Sequence, residues 1–506
     1  MTAITLHPDD DVAILTAPAA EGATPLGTGA ALTKRVQTGH KLARHAIATG
    51  APIRKFGQVI GLATEDIAPG AHIHSHNCAM GGHDETYQIG QDLDAARAAI
   101  PDTAPRTFDG YLRDDGRVGT RNMIALVSTV NCSATVIRQA ADAIERSGML
   151  DDHPTIDGIV GVTHGTGCGM AAEGPGWENL QRVLWGTATH PNVAAAIFVG
   201  LGCEVMQIAR LRATFGGDGS ERFHGLTIQD TGGTRATVAN IVARVAEMLP
   251  DLARARRTPQ PLSALTVGLQ CGGSDGYSGI TANPALGVAS DLLVGHGGTV
   301  ILSETPEIYG AEQLLLRRAA SPAVADALVE RLTWWKNYAQ MHGGTMDNNP
   351  SPGNKAGGLT TILEKSLGAV AKAGSTPLNG VVQYGEQVRD RGLVFMDTPG
   401  FDPVSATGQI AGGAQLIVFT TGRGSAFGSK PAPTLKLATN DRLFQQMEED
   451  MDLNCGDIVS SGVSLQHKGS ELLDLIVATA SGRPSKSETL GLGDHEFVPW
   501  QIGAVM

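Results

Sequence analysis

The stretch MIALVSTVNCSATVIRQAADAIERSG, residues Met123–Gly148, contains the pattern that decides the fold. Its first part, Met123–Val130, is an almost unbroken apolar run, which is typical of a strand buried on both faces. From Ser133 the apolar residues recur with helical spacing, and the run ends at Gly148, a residue type that commonly follows the last turn of a helix. A buried strand followed by a helix is the unit of a parallel sheet covered by helices.

The same unit recurs along the rest of the chain. Downstream strands are predicted over Asp157–His164, Ala194–Gly202 and His224–Gly233, and a helix over Arg235–Leu249. The segment Asp251–Ser263 is typical of a linker, and further strands are predicted after it, over Ala264–Gln270, Gly297–Glu304, Gly392–Asp397 and Ala414–Thr421. We therefore predict two α/β domains with mainly parallel sheets, at residues 110–255 and 256–506.

The N-terminal part follows a different pattern, with short β-type runs separated by Gly, Pro and Asp. These runs are Val12–Leu15, Ala51–Ala63 and Gly70–Asn77, and one helix is predicted over Lys41–Thr49. Residues 92–109 are rich in Ala and Pro and predict a linker. Residues 1–91 are therefore predicted to form a small β domain.

Composition and charge exclude several classes of function. The net charge of −13 over 506 residues argues against nucleic acid as a partner, which requires a basic surface. No run approaches the roughly 18 apolar residues of a membrane span, and no signal peptide is visible at the start. Six cysteines without a close framework are typical of a reducing compartment, so we expect a cytoplasmic protein. An anionic substrate would need a local positive site in this acidic molecule.

Four cysteines each follow a predicted strand, namely Cys132, Cys168, Cys203 and Cys271. Ligands of open α/β sheets bind outside the carboxyl ends of the strands, so the four thiols are predicted to converge there. Thiolates suit iron or an iron–sulfur cluster, with His164 as a companion ligand. Cys132, Cys168 and Cys271 are the predicted metal ligands of this set. The alternative for any one of them is an inert buried cysteine.

Histidines in the N-terminal part form a second candidate metal site. In GAHIHSHN, His72, His74 and His76 alternate along a predicted strand, so their rings share one face. His74 and His76 are the predicted ligands, and Asn77 offers an amide beside them. The alternative is a solvated polar face.

Cationic and polar side chains in Gly-rich loops are candidates for binding a carboxylate. Arg117, Arg121 and Asn122 lie in RDDGRVGTRN, Arg423 lies in TTGRGSAFG and Asp275 lies in CGGSDGYSG. Arginine binds carboxylates through two parallel hydrogen bonds. The alternative is a set of surface ion pairs. The loops at 348–358, which holds Lys355, and 420–428 match neither phosphate-binding motif, so ATP or NAD binding is weakly supported. Asp275, Glu304, Glu307, Asp347 and Asp397 follow strands or lie in loops and are further acid–base or metal candidates, although any one alone is more often a helix cap or turn residue.

With these residues in view, the chain resembles the altronate/galactarate dehydratase family over essentially its full length. The strings that carry the resemblance are GHKLARHAIATGAPIRKFGQVIGLATEDIAPGAHIHSHN, DGRVGTRN, HGTGCG, GLGCE, QCGGSDGYSGITANPALG, SETPEIYGAE, PGNKAGGLTTILEKSLGAVAK, FMDTPGFDPVSATGQIAGGAQ and FTTGRGS. The resemblance implies an N-terminal SAF-type β-clip domain and iron dependence. SETPEIYGAE is more similar to altronate-type members, which implies an aldonate substrate. The family also resembles sulfolactate sulfo-lyases.

The resemblance implies a hydro-lyase that removes water from a sugar acid to give a 2-keto-3-deoxy acid. Removal of the C2 proton requires a base and a cation that stabilises the enediolate, and loss of the C3 hydroxyl requires an acid. His164, Lys355 and His76 are the catalytic candidates, with His164 or Lys355 as the base. The expected cofactor is Fe²⁺, as a single iron or an iron–sulfur cluster, with Mn²⁺ or another divalent ion as alternatives. We expect a homo-oligomer. The rival functions are an aldarate dehydratase, a carbon–sulfur lyase and a non-catalytic sugar-acid binding protein.

Overall fold

The computed structural model describes residues 2–82, 85–216 and 222–503. Within these residues the N-terminal domain contains short antiparallel strands in two small sheets, ordered β1-β2-β3-β6 and β4-β5-β7. The strands are β1 (Ala3–Ile4), β2 (Val12–Leu15), β3 (Lys41–Ala43), β4 (Pro52–Lys55), β5 (Gln58–Ala63), β6 (His72–Ile73) and β7 (Cys78–Ala79). The small β domain expected from the sequence is present, and no helix of the described residues is long and apolar enough to cross a membrane.

The helix predicted over Lys41–Thr49 is wrong. Lys41–Ala43 forms β3, which pairs with β2 on one side and β6 on the other. Successive side chains of a strand face opposite ways. Leu42 accordingly packs into the small core of the N-terminal domain, whereas Ala43 joins the large core shared with the C-terminal domain. Lys41–Ala43 therefore contributes side chains to two different cores as a strand. These tertiary contacts outweigh the local helical pattern of the sequence.

Both predicted linkers contain ordered structure. Residues 92–109 include helix α1 (Leu93–Ala98) and the start of β8 (Thr107–Leu112). Strand β8 pairs antiparallel with β9 (Val118–Gly119) and with β14 (Thr258–Pro261), which lies in the second predicted linker. The two connections therefore pair with each other in a three-stranded sheet at the entrance and exit of the second domain.

The second domain is a parallel four-stranded sheet with the order β11-β10-β12-β13. Alternate residues of its central strand supply cores on both faces: Met123, Ala125 and Val127 pack on one side, and Ile124 and Leu126 on the other. This explains the unbroken apolar run in the sequence. The elements are β10 (Met123–Ser128), α2 (Asn131–Ser147), β11 (Gly158–Val162), α3 (Pro175–Ala188), β12 (Val193–Gly200), α4 (Ile208–Phe215), β13 (Phe223–Thr227), α5 (Ile228–Thr231) and α6 (Thr234–Leu252).

The C-terminal domain contains a parallel seven-stranded sheet with the order β17-β18-β16-β15-β19-β20-β21. Its strands are β15 (Thr266–Cys271), β16 (Thr299–Leu302), β17 (Leu378–Val382), β18 (Gly392–Met396), β19 (Leu416–Thr421), β20 (Thr434–Ala438) and β21 (Leu453–Asn454). The α-helices are α7 (Ala282–Gly295), α8 (Gln313–Leu316), α9 (Pro322–Met341), α10 (Pro352–Ala356), α11 (Ile362–Ala371), α12 (Asp402–Ala411), α13 (Asp441–Gln446), α14 (Asp457–Ser460), α15 (Leu465–Ala480) and α16 (Lys486–Thr489).

The order of these strands creates a switch point between β15 and β19. After β15 the chain moves to β16 on one side, and after β19 it moves to β20 on the other. In open α/β sheets a crevice forms at such a point, outside the carboxyl ends of the strands, and ligands bind there. The loops that follow Cys271 and Thr421 are therefore the expected ligand-binding loops of this sheet.

A buried ion-pair cluster joins the N-terminal domain to this sheet. The Glu364 carboxylate on α11 lies 2.8 Å from the Lys41 ammonium and 2.9 Å from the Lys55 ammonium. The side chains of all three residues are at most 2% exposed. The next residue on α11, Lys365, faces a cavity at the switch point. Two consecutive residues of α11 thus have different roles: Glu364 holds the N-terminal domain, and Lys365 lines the candidate site.

Candidate active site

A cavity of about 550 Å³ lies at the carboxyl end of β15, beside the switch point. Its walls come from the loop after β15, the 3₁₀ turn Thr305–Glu307, helix α9, the segment before α10 and the start of α12. The lining residues are Cys271, Gly272, Gly273, Pro306, Glu307, Trp335, Tyr338, Ala339, His342, Gly344, Thr345, Met346, Asn348, Asn349, Ser351, Asn354, Lys365, Gly400, Phe401 and Asp402. The volume suits a small molecule, and the lining combines apolar side chains with a few charged and polar groups that could orient it.

Buried ionisable groups form the floor of the cavity. The Lys365 ammonium lies 2.6 Å from a Glu307 carboxylate oxygen, and the Lys372 ammonium lies 2.9 Å from the Cys271 sulfur and 3.3 Å from Glu304. The ligand atoms of Cys271, Glu304 and Glu307 all lie within 4.8 Å of one another, the only such trio of His, Cys, Asp or Glu in the part of the chain that is described. The ammonium groups of Lys365 and Lys372 lie against the carboxyl groups of Glu307 and Glu304, so the charges within this cluster offset one another.

Burial changes the protonation of the acids in this cluster. Burial and the neighbouring Glu307 carboxylate raise the pKa of Glu304 to about 8, and the same two causes raise the pKa of Asp402 to about 7. Burial raises the pKa of Cys271 to about 12. Burial alone would lower the pKa of Lys365, but Glu307 and Cys271 outweigh it and the net shift is upward. Near neutral pH the cavity therefore offers a cationic ammonium beside carboxyl groups able to hold a proton.

Glu304 has a strained conformation that marks this floor as specialised. Its φ angle of 73° lies in the left-handed region, which non-glycine residues rarely adopt. Its backbone N–H donates to the Thr398 hydroxyl at 2.9 Å, and one of its carboxylate oxygens is buried without a hydrogen-bond partner. Strain and an unpaired buried oxygen are both costly, and such costs concentrate at functional sites.

Arg423 follows β19 at the switch point, and its backbone lies close to the cavity wall although its side chain is exposed. A Cβ placed on Gly273, a residue of the cavity wall, would lie 3.2 Å from Cβ of Arg423. Among the described residues the Arg423 guanidinium has no hydrogen bond or ion pair to another side chain. It is a free cation at the switch point.

Asp275, predicted to bind substrate, is buried and engaged in hydrogen bonds within the protein. One of its oxygens accepts hydrogen bonds from the Tyr277 amide, the Ser278 hydroxyl and the Thr439 hydroxyl, and the other accepts from the Asn440 amide. These bonds tie the loop after β15 to the loop after β20. The carboxylate has no remaining edge for a ligand.

Histidines of the N-terminal domain meet on the far side of helix α10. The rings of His40, His72 and His74 lie with centroids 5.1 to 5.5 Å apart, and His76 lies 5.7 Å from His72. The histidine rings therefore lie together as predicted, but the strand predicted over Gly70–Asn77 is limited to His72–Ile73, and His74 and His76 lie in the turn after it. His40 directly precedes β3, and the sequence analysis missed it because pairing between β3 and β6 is a long-range contact.

These imidazoles are neutral and oriented in the manner of metal ligands. Burial lowers the pKa of His40 to about 4 and of His72 to about 3, and it also lowers the pKa of His74. Nε2 of His40 and of His74 face the carbonyls of Ala356 and Lys355, so each ring donates its N–H there, and Nδ1 of His74 accepts from the Ser75 hydroxyl at 3.0 Å. Ligating histidines commonly donate their other N–H to a backbone carbonyl. Nδ1 of His40 lies 3.0 Å from Nε2 of His72, and Nδ1 of His72 is buried without a partner.

Lys355 lies between the histidines and the cavity. Its carbonyl accepts from His74, and its neighbour Asn354 lines the cavity. No described residue forms a hydrogen bond or ion pair with its ammonium group. Lys355 is thus available to an anion, although nothing in its surroundings identifies it as a base.

The second domain does not contribute its predicted base. Nε2 of His164 donates to the Ser128 carbonyl at 2.9 Å, and Nδ1 accepts from the Thr166 amide at 3.2 Å. Burial also lowers the pKa of His164 to about 4. Both ring nitrogens are therefore engaged, and no lone pair remains to remove a substrate proton.

Arg117, Arg121 and Asn122 lie before β10, at the amino-terminal edge of the second sheet, opposite to the ligand-binding edge. Arg121 is buried and forms two hydrogen bonds to Glu488 and three to backbone carbonyls. Asn122 bonds Arg113 and two carbonyls, and Arg117 pairs with Asp115. The structure thus places these three residues away from the cavity, with partners inside the protein, and their role in substrate binding stays a prediction.

The four cysteines do not all converge as predicted. Cys132, Cys168 and Cys203 follow neighbouring strands of the second domain and are exposed. Cys271 belongs to the other sheet and is buried against Lys372. The site residues that the sequence analysis missed are Lys365, Lys372 and Asp402. Lys365 lies in α11 and Lys372 directly follows it. Both residues belong to PGNKAGGLTTILEKSLGAVAK, one of the strings that carry the family resemblance, and no other feature of the sequence marks them.

Comparisons with known proteins agree with this architecture. Three family models match consecutive parts of the chain: the altronate/galactarate dehydratase SAF domain at residues 1–81, the D-galactarate dehydratase/altronate hydrolase second domain at 110–253, and the D-galactarate/altronate dehydratase C-terminal domain at 262–505.

Curated relatives match nearly the whole chain. The altronate dehydratase of Escherichia coli (strain K12) is 36% identical over 96% of this chain and 97% of its own length. The altronate dehydratase of Bacillus subtilis (strain 168) is 36% identical over 88% of both chains. The galactarate dehydratase (L-threo-forming) of Escherichia coli (strain K12) is 34% identical over 95% of this chain and 93% of its own. With its SAF domain, its second domain and its seven-stranded C-terminal domain, this chain belongs to the altronate/galactarate dehydratase family.

Proposed function

We propose that this protein is a hydro-lyase that removes water from a sugar acid, with an altronate-like aldonate as substrate and a 2-keto-3-deoxy acid as product. The observation that carries the proposal is the cavity at the switch point, where Lys365, Glu307 and Asp402 meet beside Arg423. The names of the relatives, two altronate dehydratases and a galactarate dehydratase, support the reaction class.

The chemistry requires a positive site for the developing enediolate. The C2 proton of a sugar acid lies next to a carboxylate and is very weakly acidic, so its loss must be stabilised by fixed positive charge. Arg423 supplies a free guanidinium for the substrate carboxylate, and Lys365 supplies an ammonium whose pKa is raised, so that it stays charged. These cations form the local positive site that an acidic protein needs in order to bind an anion.

The carboxyl groups of the cavity suit the two proton transfers. Asp402, with its pKa near 7, is able to donate a proton to the departing hydroxyl at neutral pH. Glu307 lines the cavity as a carboxylate held by Lys365 and by the Asn349 amide, at 2.6 and 2.7 Å, and is the base that we favour. Lys355, expected from the sequence as an alternative base, is assigned to substrate binding in this scheme.

A divalent metal, Fe²⁺ as first choice, is proposed to bind the histidines of the N-terminal domain. His40, His72 and His74 fit such an ion because they are neutral, two of them donate N–H to carbonyls, and one buried nitrogen has no partner. When bound, such an ion supplies Lewis-acid stabilisation of an oxygen anion.

Two further expectations from the sequence stay predictions. The chain is proposed to act in the cytoplasm, which agrees with its six free cysteines. It is also proposed to form a homo-oligomer. Gel filtration with light scattering measures the oligomeric state, and a monomer at assay concentration would contradict the proposed homo-oligomer.

Turnover of a panel of sugar acids by the metal-loaded protein tests the proposed function. Altronate, galactarate and sulfolactate are offered separately, and the 2-keto-3-deoxy acid and sulfite are measured. Altronate is expected to react fastest. Faster turnover of galactarate would contradict the aldonate assignment, and release of sulfite alone would contradict dehydration. Lys365→Met is expected to lower turnover by at least 10²-fold, on the order of the loss of one group that stabilises the transition state. Lys336→Met, which removes a surface ammonium, serves as the matched control.

A further inference from the structure

The last part of the chain that the structure describes, residues 495–503, spans the second domain and the C-terminal domain without forming a helix or a strand. On the second domain it lies against helix α3, because a Cβ placed on Gly176 would be 2.2 Å from the Ile502 carbonyl oxygen. Phe497 packs against the core of the same domain, with its ring 6.5 Å from that of His164. We call residues 495–503 the C-terminal segment.

Hydrogen bonds fix the C-terminal segment on the C-terminal domain. The Val498 amide donates to the Thr407 hydroxyl at 3.0 Å, and the Trp500 amide donates to the Tyr384 hydroxyl at 3.1 Å. The Tyr384 side chain is buried, and its hydroxyl donates to the Val404 carbonyl at 2.9 Å. Thr407 and Val404 belong to α12, the helix whose start lines the cavity. The segment is therefore held in place beside the candidate active site.

Trp500 packs against a residue of the cavity wall. Its ring lies parallel to that of Trp335, with the centroids 5.1 Å apart and an angle of 5° between the planes. Trp334 and Tyr384 contact the Trp500 ring edge to face, each with centroids 5.6 Å apart. Stacked and edge-to-face arrangements are those in which aromatic rings attract one another. Trp335 lines the cavity and Trp500 does not, so Trp500 supports the wall from behind.

Two hydrogen bonds connect Trp335 to the turn that carries Glu307. Nε1 of Trp335 donates to Oδ1 of Asp397 at 2.8 Å, and the Thr305 hydroxyl donates to the same oxygen at 2.5 Å. Thr305 begins the 3₁₀ turn Thr305–Glu307, and Asp397 is only 4% exposed. One buried carboxylate oxygen thus joins helix α9 to this turn. The position of the turn therefore depends on where the Trp335 indole is held.

We propose that Trp500 is a positioning residue for the elimination. It fixes the Trp335 indole, and the indole holds, through Asp397, the turn that presents Glu307 to the cavity. This inference rests on the proposed function, in which Glu307 is the base. The C-terminal segment thereby links the second domain to the candidate active site. A displacement of about 1 Å at a reacting group can lower the rate about 10²-fold, so the effect of Trp500 falls on the chemical step.

Steady-state kinetics of the full-length, metal-loaded protein with altronate test this inference. Trp500→Ala is expected to lower kcat about 10-fold or more while KM stays within about 2-fold, because a misplaced base slows the chemical step and leaves substrate binding intact. Trp500→Phe keeps an aromatic ring on Trp335 and should restore most of kcat. Trp185→Ala is the matched control and should keep the parental kcat, because Trp185 is also half-buried in an aromatic cluster but lies in the second domain, outside the cavity lining.

A double-mutant cycle tests the path through Trp335. Trp335→Phe keeps a ring beside Trp500 but removes the N–H that donates to Asp397, so it should lower kcat by a factor similar to that of Trp500→Ala. The double variant should be no slower than the slower single variant, because both changes release the same turn and the effects of coupled residues do not add. Losses that multiply in the double variant would contradict the shared path.

The kinetics are compared below the thermal midpoint of every variant, so that a loss of folding is not mistaken for a loss of positioning. An unchanged kcat in Trp500→Ala, a rise of KM alone, or an equal loss in Trp185→Ala overturns the inference. If Trp500→Ala does not fold, Trp335→Phe decides, and an unchanged kcat is again the contradicting result. A parent that turns over no sugar acid contradicts the proposed function as well, whereas an active parent with an unaffected Trp500→Ala variant contradicts this inference alone.

Discussion

Replacing Glu364 with glutamine removes the negative charge that joins the N-terminal domain to the C-terminal domain. The variant keeps the size of the side chain but leaves the ammonium groups of Lys41 and Lys55, each at most 2% exposed, without an anion. Breaking a buried ion pair by removing one partner costs about 3–5 kcal/mol. The docked state should therefore lose about 3–5 kcal/mol, which increases domain opening roughly 10²- to 4 × 10³-fold.

Native-state hydrogen exchange at the amides of β3 and β4 measures this opening directly. Glu85→Gln is the control, because the Glu85–Lys336 pair is also close, at 2.6 Å, but its side chains are 41% and 32% exposed, and such exposed pairs contribute about 1 kcal/mol or less. If Glu364→Gln changes protection no more than the control does, the buried cluster does not hold the domains together.

The same cluster predicts the direction of a pH dependence. Burial alone would raise the pKa of Glu364, but Lys41 and Lys55 outweigh it and lower the pKa well below its usual value. A carboxyl group with a depressed folded-state pKa stabilises the protein above its unfolded pKa, about 4.3. The difference between parent and variant should thus persist from pH 8 to pH 5 and shrink only in stronger acid. A difference that disappears near pH 7 would refute the assignment.

Further predictions concern the catalytic and metal sites. Asp402→Asn should remove the decline of kcat/KM above about pH 7, because the acid form of this group exists below its pKa; a parent profile that rises through pH 7 would exclude it as the acid. Arg423→Met should raise KM for the sugar acid about 10-fold or more, consistent with loss of a charged hydrogen bond, and an unchanged KM would exclude it from the carboxylate site. His72→Asn should lower bound divalent metal at least 10-fold by elemental analysis, as losses near a metal site do, while His45→Asn, at a ring paired with Asp11 outside the histidine group, should not.

The arrangement of strands and helices was largely predictable from the sequence, because local patterns carry it. The apolar run at Met123–Val130 predicted a strand buried on both faces, and alternate residues of β10 do supply two separate cores. Lys41–Thr49 was predicted as a helix for the same reason, since the local pattern could not reveal that Lys41 pairs with Glu364 more than 300 residues away. Secondary-structure prediction from local patterns is wrong where long-range contacts determine the conformation of a segment.

The site was less predictable, because residue type alone does not reveal whether a polar group is free. Arg121 and Arg423 look alike in the sequence, yet Arg121 is saturated by Glu488 and three carbonyls, whereas Arg423 has no partner among the described residues. His164 has the chemistry of a base but no free nitrogen. Conversely, Lys365 has no local signal and becomes significant only where α11 meets the cavity.

A crystal structure with the bound sugar acid, obtained with the Lys365→Met variant to slow turnover, tests the central claim most directly. The substrate should lie in the cavity between the loop after Cys271 and the start of α12, with its carboxylate at the Arg423 guanidinium. A substrate bound at the cysteine-bearing edge of the second domain, with the cavity of the C-terminal domain unoccupied, would contradict the account.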